Sequence, residues 1–277
     1  MTMAEAAPDA TDRPGRPTLT PSLGAQTAAM SRRAILALAR QPSLVVPSIL
    51  FPLFFAALGA SAFSRAINVP GFPEVDSYLD FALAGSITQG VLFGSTVGAT
   101  ALATDIENGF FDRLLSSPTS RPAIIVGRMA GGMAFGAVQA VVFVVVLLPF
   151  GLSIEGGVAG FLALVASATV LALAVGALMA TFAIRTGSSE ATQGAFPLLF
   201  ILLFFSSAFF PRETMSGAYA TLADLNPISY LVEAQRELVI VGFSASAAIQ
   251  AVLVPGVLAV AAIALALASL RQRLAAR

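Results

Sequence analysis

Residues 158–184 read VAGFLALVASATVLALAVGALMATFAI, twenty-seven positions without one charged side chain. As an α-helix, about 20 apolar residues suffice to cross the roughly 30 Å of a bilayer's hydrocarbon core. This stretch is therefore a membrane span rather than the core of a soluble domain. Working outward from it, further apolar runs lie at 44–63, 79–103, 123–150, 195–210 and 247–270. The sequence thus predicts an all-α integral membrane protein with six transmembrane helices. The run at 195–210 is short for a full crossing, which points to a tilted or incomplete span.

The whole chain agrees with this reading. It has 277 residues, 57% hydrophobic and only 11% charged, far from the balance of soluble domains. There is no His and no Cys, which removes the usual zinc sites and thiol nucleophiles. All 15 basic residues are Arg, so the lysine of a standard ATP-binding loop is missing. No cofactor, metal site, catalytic residue or nucleic-acid partner is expected.

Residues 1–20 are rich in Ala, Pro, Asp and Arg and read as a disordered tail, with a single six-span membrane domain over 21–277. From 21 to 40, Leu23, Thr27, Met30, Ala34, Ile35 and Leu38 recur at helical spacing, with Arg32, Arg33 and Arg40 elsewhere. Such a helix suits the membrane interface. Arginine placement sets the orientation. With both termini cytoplasmic, twelve arginines fall inside and only Arg65, Arg212 and Arg236 outside. Gly94/Gly98, Gly127/Gly131 and Gly132/Gly136 form GxxxG pairs that mark close helix packing. Gln89 and Gln139 lie deep in spans and must find partners or line a pathway.

Two connecting segments carry the functional signal. Between the second and third runs, Phe110, Phe111, Leu114 and Leu115 share one face of a short helix that Pro118 ends. That face can dock on a partner or rest on lipid. Before the last run, Asn226 and Pro227 read as a cap and first-turn proline of a helix ending near Gly242. Pro211 and its neighbours are expected to break the fifth run early.

The pattern Asp105-x-Glu107-x-Gly109-Phe110-x-x-Arg113-Leu114-Leu115-x-Ser117-Pro118-x-Ser120-Arg121, then Gly127-Arg128, resembles the signature of type-2 ABC exporter permeases. The run Phe204-Phe205-Ser206-Ser207-Ala208-Phe209-Phe210-Pro211, then Leu225-Asn226-Pro227-Ile228-Ser229-Tyr230 with Glu233 and Arg236, is similar to the same family, as is Arg40-Gln41-Pro42. The nearest branch is the daunorubicin-resistance-like drug permeases. The resemblance implies a plasma-membrane permease subunit that exports an amphipathic compound, such as a drug or lipid. It implies a separate ATPase partner and a second permease subunit, a copy of the same chain. The segment from Glu107 to Leu115 would be the coupling helix, with Phe110, Phe111, Leu114 and Leu115 docking and Glu107 and Arg113 as polar contacts. Pro211, Asn226, Pro227, Tyr230, Glu233 and Arg236 would belong to outer re-entrant helices. Gln89, Phe204, Phe205, Ser206 and Ser207 are pathway candidates. A secondary transporter or an intramembrane enzyme would need ionisable groups at mid-membrane, which the runs almost wholly lack; a non-catalytic membrane assembly protein is the alternative that the residues leave open.

Overall fold

A computed structural model describes residues 22–63, 67, 72–116 and 121–275. Eleven α-helices follow in order: α1 Leu23–Ala39, α2 Pro42–Ala62, α3 Tyr78–Glu107, α4 Phe110–Leu115, α5 Arg121–Leu147, α6 Gly157–Thr186, α7 Ser189–Gly194, α8 Phe196–Phe204, α9 Gly217–Leu225, α10 Pro227–Ile240 and α11 Ala245–Ala275. Five of the described helices (α2, α3, α5, α6 and α11) are long and apolar enough to cross a membrane. The 1–20 tail expected from composition, and Pro118 at the end of the short helix, lie outside the described residues.

α3 is the axis of the bundle. It is the least apolar of the five yet the most buried, 89% against 22% for α2 and 28% for α11. The inversion has a simple cause. Lipid-facing helices must be apolar, whereas a helix surrounded by protein can carry Ser86, Thr88, Gln89, Ser95, Thr96 and Thr100. α2, α5, α6, α7 and α10 pack around it, and α11 closes against α6.

The arginines gather at one end. There Arg128 and Arg33 meet Asp105, Arg185 reaches Ser269, and Arg273 reaches the Ile184 carbonyl. The opposite end holds Tyr78, the α5–α6 loop and Arg212. α6 finishes at the arginine-rich pole and α11 begins at the far pole, so the chain between them must travel the full height. It does so through α7 and α8. Ser189 touches Glu107, and the Ala208 carbonyl abuts Gly85, twenty-two positions earlier on α3. At 1.5 Å per residue that is about 33 Å, the thickness of a hydrocarbon core. This passage breaks twice. Gly194 and Pro197 separate α7 from α8, and α8 itself stops at Phe204. α8 thus stops seven residues before Pro211, where the break was expected.

Two prolines inside long helices explain much of the polar packing. Pro52 leaves the Ser48 carbonyl without its usual donor four residues on, and Gln139 of α5 donates to it at 3.2 Å. Pro255 likewise frees the Ala251 carbonyl of α11, and Ser167 of α6 donates to it at 2.7 Å. Each kinked helix is thus repaired by a polar side chain from a neighbour, as lipid surroundings require. Gln139 is an interhelical tie.

The glycine pairs divide by role. A Cβ on Gly131 would come within 2.6 Å of Ala34 Cβ, and one on Gly127 would strike Met30. That pair seats α1 along α5. Gly136 does the same for α6, against Ala172 and the Ala168 carbonyl. Gly98 and Gly132 face open space.

Candidate functional site: the two polar ends of the bundle

At the arginine-rich pole, Gly109 adopts φ +66°, which a side chain disfavours, and turns the chain from α3 into α4. α4 is only FFDRLL. Its apolar face points inward. Phe111 is 3% exposed and packs with Leu102, Ala103, Ile106, Ala183, Ile184 and Leu270, with Leu114 at the edge of the same cluster. These two residues clip α4 onto α3, α6 and α11, so they are not open for docking in the single chain. The outward side carries Phe110 and Arg113. The Arg33 guanidinium lies 4.3 Å over the Phe110 ring, and that of Arg113 lies 5.9 Å away. Leu115 is on the α4 backbone, but its side chain is outside the described residues.

Charged groups frame this helix. Asp105 accepts from Arg128 and has Arg33 at 3.6 Å. Glu107 accepts from the Ser189 amide at 2.6 Å and from its hydroxyl at 3.1 Å. Glu107 therefore links α3 to α7 while remaining exposed.

The far pole is built differently. Asn226 is buried and does three jobs. Its carboxamide oxygen accepts from the Ile228 amide at 2.9 Å, capping α10. Its amide nitrogen donates to the Leu202 and Phe205 carbonyls at 2.6 and 2.7 Å, closing the open end of α8. Pro227 follows at the first helical position, where its missing N–H costs nothing. α9 and α10 thus form a hairpin whose tip sits on α8. The other end of α10 accepts from the Glu155 and Gly156 amides in the α5–α6 loop.

α10 is buried nearly all round rather than on one face. Ser229 and Arg236 are as enclosed as Leu231 and Leu238. The Arg236 guanidinium donates to the Ser207 carbonyl at 2.8 Å and the Phe81 carbonyl at 3.4 Å, and lies 3.8 Å over the Phe81 ring. One residue earlier, Gln235 accepts from Thr88 of α3 at 3.1 Å and donates to Ser167 at 2.9 Å. A polar chain therefore runs from α3 through α10 and α6 to the carbonyl that Pro255 frees. At the rim, Arg212 binds Glu233 at 2.8 Å and Asp224 at 3.2 Å and lies over Tyr230. Burial works against the Arg212 charge, but Glu233 and Tyr230 hold its pKa above the ordinary arginine value. Pro211 is buried beside it.

The pathway candidates separate in space. Gln89, Ser206 and Ser207 are at most 1% exposed and lie inside one subunit. Ser207 binds Ser229, and Ser206 caps the Leu203 carbonyl. Phe204 and Phe205 remain 38% exposed. Phe204 belongs to a run of touching rings through Phe209, Phe55 and Phe51 to Phe93 and Phe200. Thr88, Ser167 and Gln235 escaped the sequence reading. Thr88 and Ser167 showed only as single polar residues in apolar runs, Gln235 sits among charged residues, and the Ala251 carbonyl that Ser167 meets is freed by Pro255 on another helix.

A short helix clipped to one pole of a bundle and, at the other, a helical hairpin whose second arm is buried define a multi-pass membrane permease. The family model of the ABC-2 type transporter matches residues 25–240, and the chain belongs to that family. It is a membrane permease subunit of an ABC exporter, and the family implies an ABC ATPase partner. It is 30% identical to the daunorubicin resistance ABC transporter permease protein DrrB1 of Streptomyces coeruleorubidus, over 74% of this chain and 72% of that one. It is 26% identical to the probable doxorubicin resistance permease DrrC of Mycobacterium tuberculosis, over 76% of each. It is 28% identical to the inner membrane transport permease YadH of Escherichia coli, over 70% of this chain and 74% of that one.

Proposed function

We propose that two copies of this chain form the membrane path of an exporter and that two ATPase subunits dock on their arginine-rich poles, which face the cytoplasm. ATP is hydrolysed on those partners. The chain itself carries no catalytic group, and residues 21–277 form the single permease domain. The cargo is an amphipathic, drug-like molecule moved outward, as the names of the relatives suggest.

The observation that carries this reading is the two-sidedness of α4. Its inward face fixes it to the ends of three long helices, while Phe110, Arg113 and the nearby Glu107 lie on the outward side. A lever needs both: a rigid attachment to what moves and a surface for what pushes. The arginine separation supports the cytoplasmic placement, by the tendency of positive loops to stay inside. In this reading α7 and α8 make the sixth crossing, and α9–α10 re-enter from the outer face. The exposed aromatic rings of α2 and α8 are where two copies meet, so Phe204 and Phe205 border the path while Ser206, Ser207 and Gln89 support it from within.

The test is co-purification of the tagged chain with its ATPase. Arg113→Glu combined with Phe110→Asp should abolish recovery of the ATPase and leave the thermal unfolding of the permease unchanged. Undiminished recovery would refute the docking assignment.

A further inference from the structure

Between α1, α3, α5, α6 and α11, at the arginine-rich pole, lies a cavity of about 420 Å³. That is within the range of roughly 300–1,000 Å³ that holds a small amphiphile. Its walls are built from small residues. Gly98 of α3, Gly132 of α5 and Gly176 of α6 all line it, and a Cβ added to any of them would meet no atom within 4 Å. Glycine at an interhelical seam normally permits contact, as Gly127, Gly131 and Gly136 do here. Three glycines from three helices around one void instead keep the void open. The mouth is charged: Arg33, Arg128 and Asp105 all border it, two guanidiniums against one carboxylate. Phe111, on the inward face of α4, forms part of the wall.

We infer that this cavity holds one hydrocarbon chain of an anionic phospholipid from the inner leaflet, with the phosphate at Arg33 and Arg128. The inference rests on the arginine-rich pole facing the cytoplasm, as proposed above. The excess positive charge selects an anionic head, and the glycine-lined interior accepts an unbranched chain. Because the chain lies against Phe111, lipid occupancy sets how firmly the coupling helix is seated.

The test uses the full chain in nanodiscs of phosphatidylcholine that contain a phosphatidylglycerol bearing a diazirine midway along one acyl chain. After irradiation, the adduct should map to peptides around Gly98 and Gly132. Gly132→Leu, which adds bulk to open space, should lower that adduct by roughly tenfold by filling the site. Arg33→Gln should erase a preference of roughly fivefold over the phosphatidylcholine probe of equal chain length, the worth of one cation near an anionic surface. An adduct confined to the exposed faces of α2 and α11, or one that Gly132→Leu leaves unchanged, would overturn the site. Equal labelling by the two probes in the unmodified chain would overturn the anionic assignment. If Gly132→Leu fails to insert, Gly176→Leu and the map of the unmodified protein decide the matter alone. Recovery of the ATPase, scored on the same samples, separates the two claims: lost labelling with retained ATPase contradicts only the lipid site.

Discussion

The two ends of this bundle are held by opposite means. At the far pole the links are buried and specific: Arg236 on two carbonyls, Asn226 on the end of α8, and the Thr88–Gln235–Ser167–Ala251 chain. At the arginine-rich pole they are the half-buried pairs of Asp105 with Arg128 and Arg33, two single arginine hydrogen bonds and one apolar clip. Buried polar groups left unpaired cost about 1–3 kcal/mol each. Exposed ion pairs are worth about 0–1 kcal/mol. The far pole is therefore fixed in one arrangement, while Arg33, the exposed partner of Asp105, can be re-paired at little cost. In the proposed orientation, the end that receives the ATPase needs the second property and the outer end the first.

The largest effect should come from the far pole. Arg236→Ala leaves the Ser207 carbonyl unpaired, removes the cation over the Phe81 ring and opens a cavity. It should cost about 3–5 kcal/mol, read from denaturant unfolding in detergent micelles. A loss below that of an exposed ion pair would remove the contrast between the poles.

Phe111→Ala comes next, at about 3 kcal/mol for the cavity it opens. It should also loosen α4, seen as faster amide exchange over residues 110–115. An unchanged exchange rate would mean that the clip is not what holds the helix.

The proline repairs give a smaller effect with a sharper signature. Ser167→Ala should cost about 1 kcal/mol, near the upper range for a hydrogen bond between membrane helices. Pro255→Ala restores an N–H for the Ala251 carbonyl, so Ser167→Ala should cost less in that background. The same compensation is expected for Gln139→Leu with Pro52→Ala. Additive losses in both cycles would break the link between proline and partner.

The smallest change is at the near pole. Arg33→Gln should alter stability by less than about 1 kcal/mol, since Arg33 is the exposed partner of Asp105 and Arg128 keeps that carboxylate paired.

Much of this was readable in the residues, and the boundary is informative. Apolar run length located the long helices, and the arginine distribution anticipated the gathering of charge at one end. Asn226-Pro227 gave the start of α10 correctly, because capping is a local matter. What the sequence could not supply was the partner of each face. Periodicity found the apolar side of α4 but not that Phe111 turns toward its own bundle. The glycine spacing of 127/131 and 132/136 looks alike, yet one pair seats α1 and the other divides between the glycine-lined cavity and α6. Gln139 stood out as a buried amide, but its acceptors, the Gly90 carbonyl and the Ser48 carbonyl that Pro52 frees, lie on two other helices. The end of α8 at Phe204 was hidden because the run 195–210 stays apolar across it, and α7 was missed because its sequence, SEATQG, is polar and short.

The chain has no cysteine, so single-cysteine variants report one position each. The most direct test labels Arg113→Cys and Glu213→Cys with a membrane-impermeant maleimide in intact cells. Glu213→Cys should react at once, and Arg113→Cys only after the membrane is opened, with protection when the ATPase is bound. Reaction of both positions from the same side would contradict a bundle whose arginine-rich end meets the cytoplasm.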